Sequence, residues 1–324
     1  MPMKKKATIA AMIGDPSGIG PEVVVKTLAT QALDARVLLV GDTGVVADTI
    51  ALLGAPLTAR RIDDVSQARF EPGVVDVLDD GLLDRAACPL GQLSPESGRA
   101  VTAWWDIATR LALDEQVDAI IKAPVNFEAI RLSGARPAVS TGVDQTHLLL
   151  VTGPLRVVHL TDHVPLREVF AHLRRDAIAE LIRLTDASLR RWGVAAPRIG
   201  VAGINPHASG DEERLEIAPA IEMACSEGID ARGPVSPDSL FRQCIDGQYD
   251  CVLAHYHDQG HIAVKTWRFE GNCALVLGEP FLRISVAHGT AFDIAGRGIA
   301  DHRSMAAAMR HAAMLGGAQG FPAD

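Results

Sequence analysis

The feature that most restricts how this chain can fold is a repeated switch between two hydrophobic periods. Short apolar, β-rich runs at Ala7 to Ile13, Val37 to Gly41, Ala119 to Lys122, Arg156 to Thr161, Arg198 to Gly203 and Cys251 to Ala254 read as strands. Between them, Pro21 to Ala29, Ser97 to Leu113, Asp176 to Trp192 and Ile217 to Glu227 carry helical spacing, with Asp, Ser or Pro near their starts. This alternation predicts an α/β protein with a mostly parallel sheet covered by helices on both faces. Nearly half of the 324 residues are hydrophobic, enough for one large or two medium cores. No repeat, low-complexity tract or linker rich in Pro and Ser breaks the pattern, so any domain division falls within continuous α/β structure. The last third supplies a glycine-rich segment and a helix from Ser304 that need a sheet to dock on, which groups the two ends of the chain together.

Charge and cysteine usage exclude several classes of partner. Lys and Arg total 31 against 40 Asp and Glu, a net charge of −9, and no basic stripe is present, so nucleic acid is not expected. The basic start before the first apolar run imitates a secretion signal. That run stops at Gly14-Asp15-Pro16, too soon for a signal core or a membrane span, and reads instead as a first strand with no membrane partner. Cys88, Cys225, Cys244, Cys251 and Cys273 are odd in number and show no CxxC pairing, so neither a disulfide framework nor a thiolate zinc site is indicated. A cytoplasmic location is the expectation.

Candidate chemistry concentrates in segments that follow strand-like runs. His163 lies in Thr161-Asp-His-Val-Pro-Leu-Arg-Glu168, His207 in Gly203-Ile-Asn-Pro-His-Ala-Ser209 and His257 in His255-Tyr-His-Asp-Gln-Gly-His261. In an open α/β sheet the ligand crevice lies beyond the carboxyl ends of the strands. Three imidazoles there can converge on zinc, cobalt or another divalent ion, whereas each alone reads as a loop histidine bonded to backbone. The segment Gly14-Asp-Pro-Ser-Gly-Ile-Gly-Pro-Glu22 turns from strand into helix and suits either a tight structural turn or an anion-binding loop. It is not the GxGxxG dinucleotide fingerprint. The stretch Ser285 to Asp301 gathers Gly289, Thr290, Asp293, Gly296, Arg297 and Gly298, and such a loop can wrap a dinucleotide, with backbone amides on the phosphates and Asp293 on a hydroxyl. Lys265 and Arg283, each flanked by apolar residues, are candidates to neutralise a substrate carboxylate or phosphate.

Taken together, Gly14 to Glu22, Asn205-Pro-His207, Tyr256-His-Asp-Gln-Gly260 and His288-Gly-Thr-Ala-Phe-Asp-Ile-Ala-Gly296 resemble the 4-hydroxythreonine-4-phosphate dehydrogenases of pyridoxal phosphate synthesis and their relatives, over almost the whole chain. The resemblance implies two α/β/α domains with a central cleft, similar to isocitrate and isopropylmalate dehydrogenases, here divided as residues 1–128 plus 300–324 and residues 129–299. It implies an NAD- or NADP-dependent enzyme that oxidises a secondary alcohol β to a carboxylate of a small anionic substrate, with decarboxylation following. His163, His207 and His257 are then ligands of one divalent ion (zinc, cobalt or magnesium) in a homodimer whose active sites are built from both subunits, with the second domain carrying the ligands and the dimer contacts. Lys265 and Arg283 fall on substrate-binding positions, Asp238 matches an acidic residue of the site, and Lys265, Asp258 and Asp238 are the catalytic candidates, with the general base unassigned.

The resemblance has departures. A Gly-His-Thr-Glu stretch of the biosynthetic enzymes is absent from the shortened region Gly134 to Gly142, and a family Asn is replaced by Ala274. His257-Asp-Gln-Gly-His-Ile262, Gly203 to Ser209 and the missing His-Thr pair are similar instead to the catabolic members that oxidise carboxylated cis-dihydrodiols such as the terephthalate dihydrodiol, while Arg283 agrees with the phosphate-using branch. The substrate therefore stays open among phosphohydroxythreonine, a phosphorylated sugar acid and a dihydrodiol. A phosphate acyltransferase, which shares the wider fold, has no use for the three histidines.

Overall fold

In this computed structural model, residues 6–143 and 145–322 are described, and the basic start at Met1 to Lys5 lies outside them. The first run becomes β1 (Ala7–Met12) and passes through the glycine turn into α1 (Gly20–Thr30), whose first turn holds Pro21 and Glu22. Next come β2 (Ala35–Val40) and α2 (Thr43–Leu53), the latter started by the Asp42 carboxylate, which accepts from the Val45 N–H, and ended by Gly54 at φ 57°. Two further strands, β3 (Thr58–Ile62) and β4 (Val74–Leu78), precede α3 (Pro95–Leu113), where the Ser94 hydroxyl accepts from the N–H groups of Glu96 and Ser97. The half closes with β5 (Ala119–Lys122) and α4 (Phe127–Ser133).

The chain continues as β6 (His147–Thr152), β7 (Leu155–His159), α5 (Leu166–His172), α6 (Arg175–Arg191) and β8 (Arg198–Ala202). It then forms α7 (Ala218–Ser226), β9 (Asp230–Val235), α8 (Pro237–Ile245), β10 (Cys251–Ala254), α9 (His257–Trp267) and β11 (Cys273–Leu277). The last elements are β12 (Leu282–Val286) and α10 (Arg303–Gly316).

Two compact units result, residues 6–143 with 279–317 and residues 145–278 with 318–322. In the first, strands lie in the order β3-β4-β2-β1-β5-β12 and every pairing is parallel. Ile9, Met12, Leu38, Leu39, Ile120 and Ile121 are fully buried in its core, and α3 and α10 pack on the sheet. In the second the order is β11-β6-β7-β10-β8-β9. Here the mostly parallel expectation meets an exception, because β6 is antiparallel to both β7 and β11. The link from β6 to β7 is only Gly153-Pro154, and so short a link joins only antiparallel neighbours.

The unit borders differ from the expected 128/129 and 299/300. Residues 279–299 belong with the first unit because β12 pairs with β5, Leu282 opposite Ala119. Residues 129–143 stay there too, since α4 packs so closely on α3 that a Cβ at Gly98 would sit 2.1 Å from the Ala129 carbonyl oxygen. Residues 318–322 join the second unit through the Gly320 N–H, which donates to the Trp192 carbonyl at 2.8 Å, and the Phe321 ring edge-on to Trp192. Among the described residues no helix is long and apolar enough to cross a membrane.

Candidate active site

Two of the three expected imidazoles meet in the second unit. His163 follows β7 and His257 opens α9 after β10, and because β7 and β10 are parallel neighbours their carboxyl ends deliver both residues to one edge. The ring centroids are 5.3 Å apart. Asp162 joins them, and donor atoms of Asp162, His163 and His257 all lie within 4.8 Å of one another. They line a cavity of about 240 Å³ with Val164, Leu166, Val169, Tyr256 and Asp258. One oxygen of Asp162, Oδ1, is buried without a hydrogen-bond partner, while Oδ2 is 3.2 Å from His163 Nδ1. An unpartnered buried carboxylate oxygen beside two imidazoles is a donor set suited to a divalent cation. Asp258 holds His257 from outside, its Oδ1 2.7 Å from Nδ1, which leaves Nε2 as the ring nitrogen free of that contact.

The segment read as a loop from His255 to His261 is in fact the entry into α9, and this regularises the site. His257, His261 and Lys265 recur every four residues and so share one helix face. The rings of His257 and His261 stack at 3.5 Å, and His159 of β7 lies behind His261 at 4.9 Å. Burial pushes His261 down to about 4 and His159 to about 3, so both are neutral at physiological pH. Gly260 is required here: a Cβ at this position would stand 2.2 Å from His159 Nε2.

His207 is not part of the cluster. It is exposed on a turn after β8, in left-handed backbone at φ 56° and followed by Ala208 at φ 51°. Non-glycine residues hold such conformations only where the surroundings impose them. The start of this turn is held by the buried Glu213, whose carboxylate accepts from the N–H groups of Ile204 and Asn205 at 2.7 and 2.8 Å and from the Asn205 amide at 2.8 Å. Burial would raise its pKa, but these donors outweigh it and hold Glu213 below the usual carboxylate range.

In the first unit the two glycine-rich segments close on each other. The Ile19 N–H donates to the Thr290 carbonyl at 3.0 Å, and a Cβ on Gly18 would meet the Thr290 Cβ at 2.8 Å. Gly296 donates its N–H to Glu22 Oε1 at 2.7 Å, and Glu22 Oε2 stays buried without a partner. A cavity of about 320 Å³ opens here, lined by Gly18, Glu22, Asp48, Arg85, Leu90 and Gly296 among others.

A third constellation lies across β5 and β12. Arg283 is gripped by the buried Glu279 through two bonds of 2.7 and 2.8 Å, and its guanidinium lies 5.0 Å from the Trp105 ring centre. Lys122, at the end of β5, sets its ammonium 5.6 Å from the Trp105 ring centre and 5.3 Å from that of Phe127.

These geometries can be set beside known proteins. The family described as "Pyridoxal phosphate biosynthetic protein PdxA" matches residues 33–312. The chain belongs to this family. A D-threonate 4-phosphate dehydrogenase from Cupriavidus necator is 40% identical over 322 residues, covering 95% of this chain and 96% of the relative. Among solved structures, a 4-hydroxythreonine-4-phosphate dehydrogenase from Klebsiella pneumoniae superposes with a TM-score of 0.86 at 39% identity, covering 96% of this chain and 99% of the other. A terephthalate 1,2-cis-dihydrodiol dehydrogenase from Burkholderia xenovorans reaches 0.71 at 32%, covering 96% and 98%. The PdxA-family chain is accordingly an oxidoreductase acting on CH–OH groups, with the α/β fold read from its sequence.

Within this PdxA-family member the structure unites only some of the expected site residues. His163 and His257 come together with Asp258 beside them, whereas His207 stands apart. Lys265 is exposed on the His257 face of α9. Asp238 is exposed at the start of α8, where it accepts from the Ser236 hydroxyl at 2.7 Å. Thr290 and Gly296 hold the first-unit cavity together, while Gly289 and Asp293 are exposed on the same loop. Asp162 and Lys122 are the residues the sequence reading passed over. Asp162 was visible as the carboxylate adjoining a candidate ligand, and Lys122 as a cation at a strand's carboxyl end.

Proposed function

We propose that this chain is a metal-assisted, NAD- or NADP-dependent dehydrogenase that oxidises the secondary alcohol β to the carboxylate of a small phosphorylated hydroxy acid, with decarboxylation following. The observation that carries the reading is the Asp162–His163–His257 cluster with its unpartnered buried oxygen. Asp162, His163 and His257 would hold a divalent ion, which would supply Lewis acidity toward the substrate hydroxyl and toward the charge that develops on decarboxylation. Asp258 keeps His257 in the tautomer that offers Nε2. Lys265 Nζ, two turns along the same face, is placed to hold a substrate oxyanion or to carry a proton. Arg283, with Nε and Nη2 held by Glu279, has its remaining N–H donors positioned for an anionic group of the substrate.

The first-unit cavity is the proposed dinucleotide site. Gly18, Glu22 and Gly296 line it, Arg85 supplies a cation for a pyrophosphate, and Glu22 Oε2 has an acceptor free for a ligand hydroxyl. His207, presented on a strained and exposed turn, completes the ligand set from a second copy of the chain, so that a homodimer shares its active sites. The closer superposition on the phosphate-using enzyme than on the dihydrodiol enzyme supports a phosphorylated substrate. The test is dinucleotide reduction with D-threonate 4-phosphate, 4-hydroxythreonine 4-phosphate and terephthalate dihydrodiol in parallel. Turnover of a phosphorylated substrate is expected, and reduction by the dihydrodiol alone would overturn the substrate assignment.

A further inference from the structure

Lys122 is a second cation beside Arg283, and the two share the single carboxylate of Glu279. It and Arg283 stand on neighbouring parallel strands, with Ile120 opposite Arg283 and Ser285 opposite Lys122. Side chains two residues apart on a strand share a face, so Lys122 and Arg283 project to the same side, and both lie against Trp105. Arg283 is already neutralised by its two bonds to Glu279. Among the described residues the Lys122 ammonium makes no direct ion pair or hydrogen bond; it lies against two aromatic rings and feels the Glu279 charge only at longer range. Burial first, and repulsion from Arg283 second, push it down to about 8. A half-buried ammonium kept at the carboxyl end of a parallel strand, where ligands of α/β sheets bind, costs stability and needs a use.

We propose that Lys122 is a substrate-binding residue, forming with Arg283 a two-cation subsite for the substrate's phosphate oxygens. Glu279 holds the Arg283 fork in place, Trp105 walls one side, and Lys122 brings the net positive charge that Glu279 removes from Arg283. This deepens the dehydrogenase reading and rests on it for the identity of the substrate, but not for the anion chemistry. No covalent step is involved.

Two measurements test it on the intact protein. In the first, inorganic phosphate binding is followed by calorimetry at pH 8 in buffers of different ionisation enthalpy. The dianion draws a proton onto Lys122, so uptake of roughly half a proton per phosphate is expected from a lysine near half-protonation. Absence of uptake in the wild-type protein overturns the proposal and needs no variant to fold. In the second, Lys122→Met is expected to weaken phosphate at least tenfold and abolish the uptake, whereas Lys122→Arg retains affinity without it. With D-threonate 4-phosphate as substrate, Lys122→Met raises KM with kcat nearly unchanged, and a fall in kcat alone counts against a binding role. Equal binding of acetate and phosphate contradicts the assignment to phosphate. Failure of every phosphorylated substrate with phosphate-linked uptake intact removes the dehydrogenase reading and leaves the subsite standing.

Discussion

Replacing Lys122 by Met separates the energetic cost of this residue from its use. In the folded chain the ammonium titrates at about 8 rather than 10.5, chiefly through burial. At ~1.4 kcal/mol per pKa unit, this difference is about 3 kcal/mol of destabilisation while the group is charged in both states. The folded form binds fewer protons than the unfolded one between pH 8 and 10.5, so wild-type stability rises with pH across that window. Below pH 8 the whole penalty is present, and above 10.5 it is gone. Methionine fills similar volume without charge but gives up the ammonium's attraction to Trp105 and Phe127, about 0.5–1 kcal/mol each. Lys122→Met should therefore be about 1–2 kcal/mol more stable than wild type at pH 7, with the gain shrinking as pH approaches 10.5. Urea titrations followed by circular dichroism at pH 7, 9 and 10.5 measure this as a shift in midpoint at constant slope. A variant less stable than wild type at pH 7, or a gain that grows with pH, would refute the reasoning.

Asp258→Asn weakens the partner of His257 Nδ1 and is expected to lower divalent-metal affinity about 10–100-fold with little change in melting temperature, as metal titration would show. Gly18→Ala drives a methyl into Thr290, at a cost of about 1–3 kcal/mol, and should raise the KM for the dinucleotide more than that for the substrate in steady-state kinetics. If His207 and His257 serve one site from different copies, mixing inactive His207→Ala chains with inactive His257→Ala chains should recover up to about a quarter of wild-type activity through hybrid dimers. No recovery after proven subunit exchange would place both histidines on one subunit or remove His207 from the site.

The sequence was most legible where one period ran long enough to be distinctive. The strands at Ala7, Ala119, Arg198 and Cys251 and the long helices α3 and α6 formed where the apolar spacing put them. The antiparallel β6 was hidden because a tight turn, not a helix, follows it, and the strand–helix rhythm carries no information about direction in that case. The unit borders were missed for a related reason: β12 joins β5 across more than 150 residues of chain, a pairing that local pattern does not reveal. That His163 and His257 would lie together was readable because parallel strands bring their carboxyl ends to one edge. Asp162 was not, because a lone Asp beside a His is ordinary until its oxygen is seen to be buried and unpartnered. Lys122 looked like the last residue of a strand, and only its aromatic neighbours, contributed by α3 and α4, mark it out.

The most direct test of the account is a zinc titration into chelator-stripped protein, with bound metal and dinucleotide reduction of a phosphorylated substrate read on the same samples. Reduction should be absent from the stripped protein, rise in step with metal bound at the Asp162, His163 and His257 donors, and level off as that site fills. Full reduction before any metal is bound, or saturation of the site with no turnover gained, would contradict the role assigned to those residues.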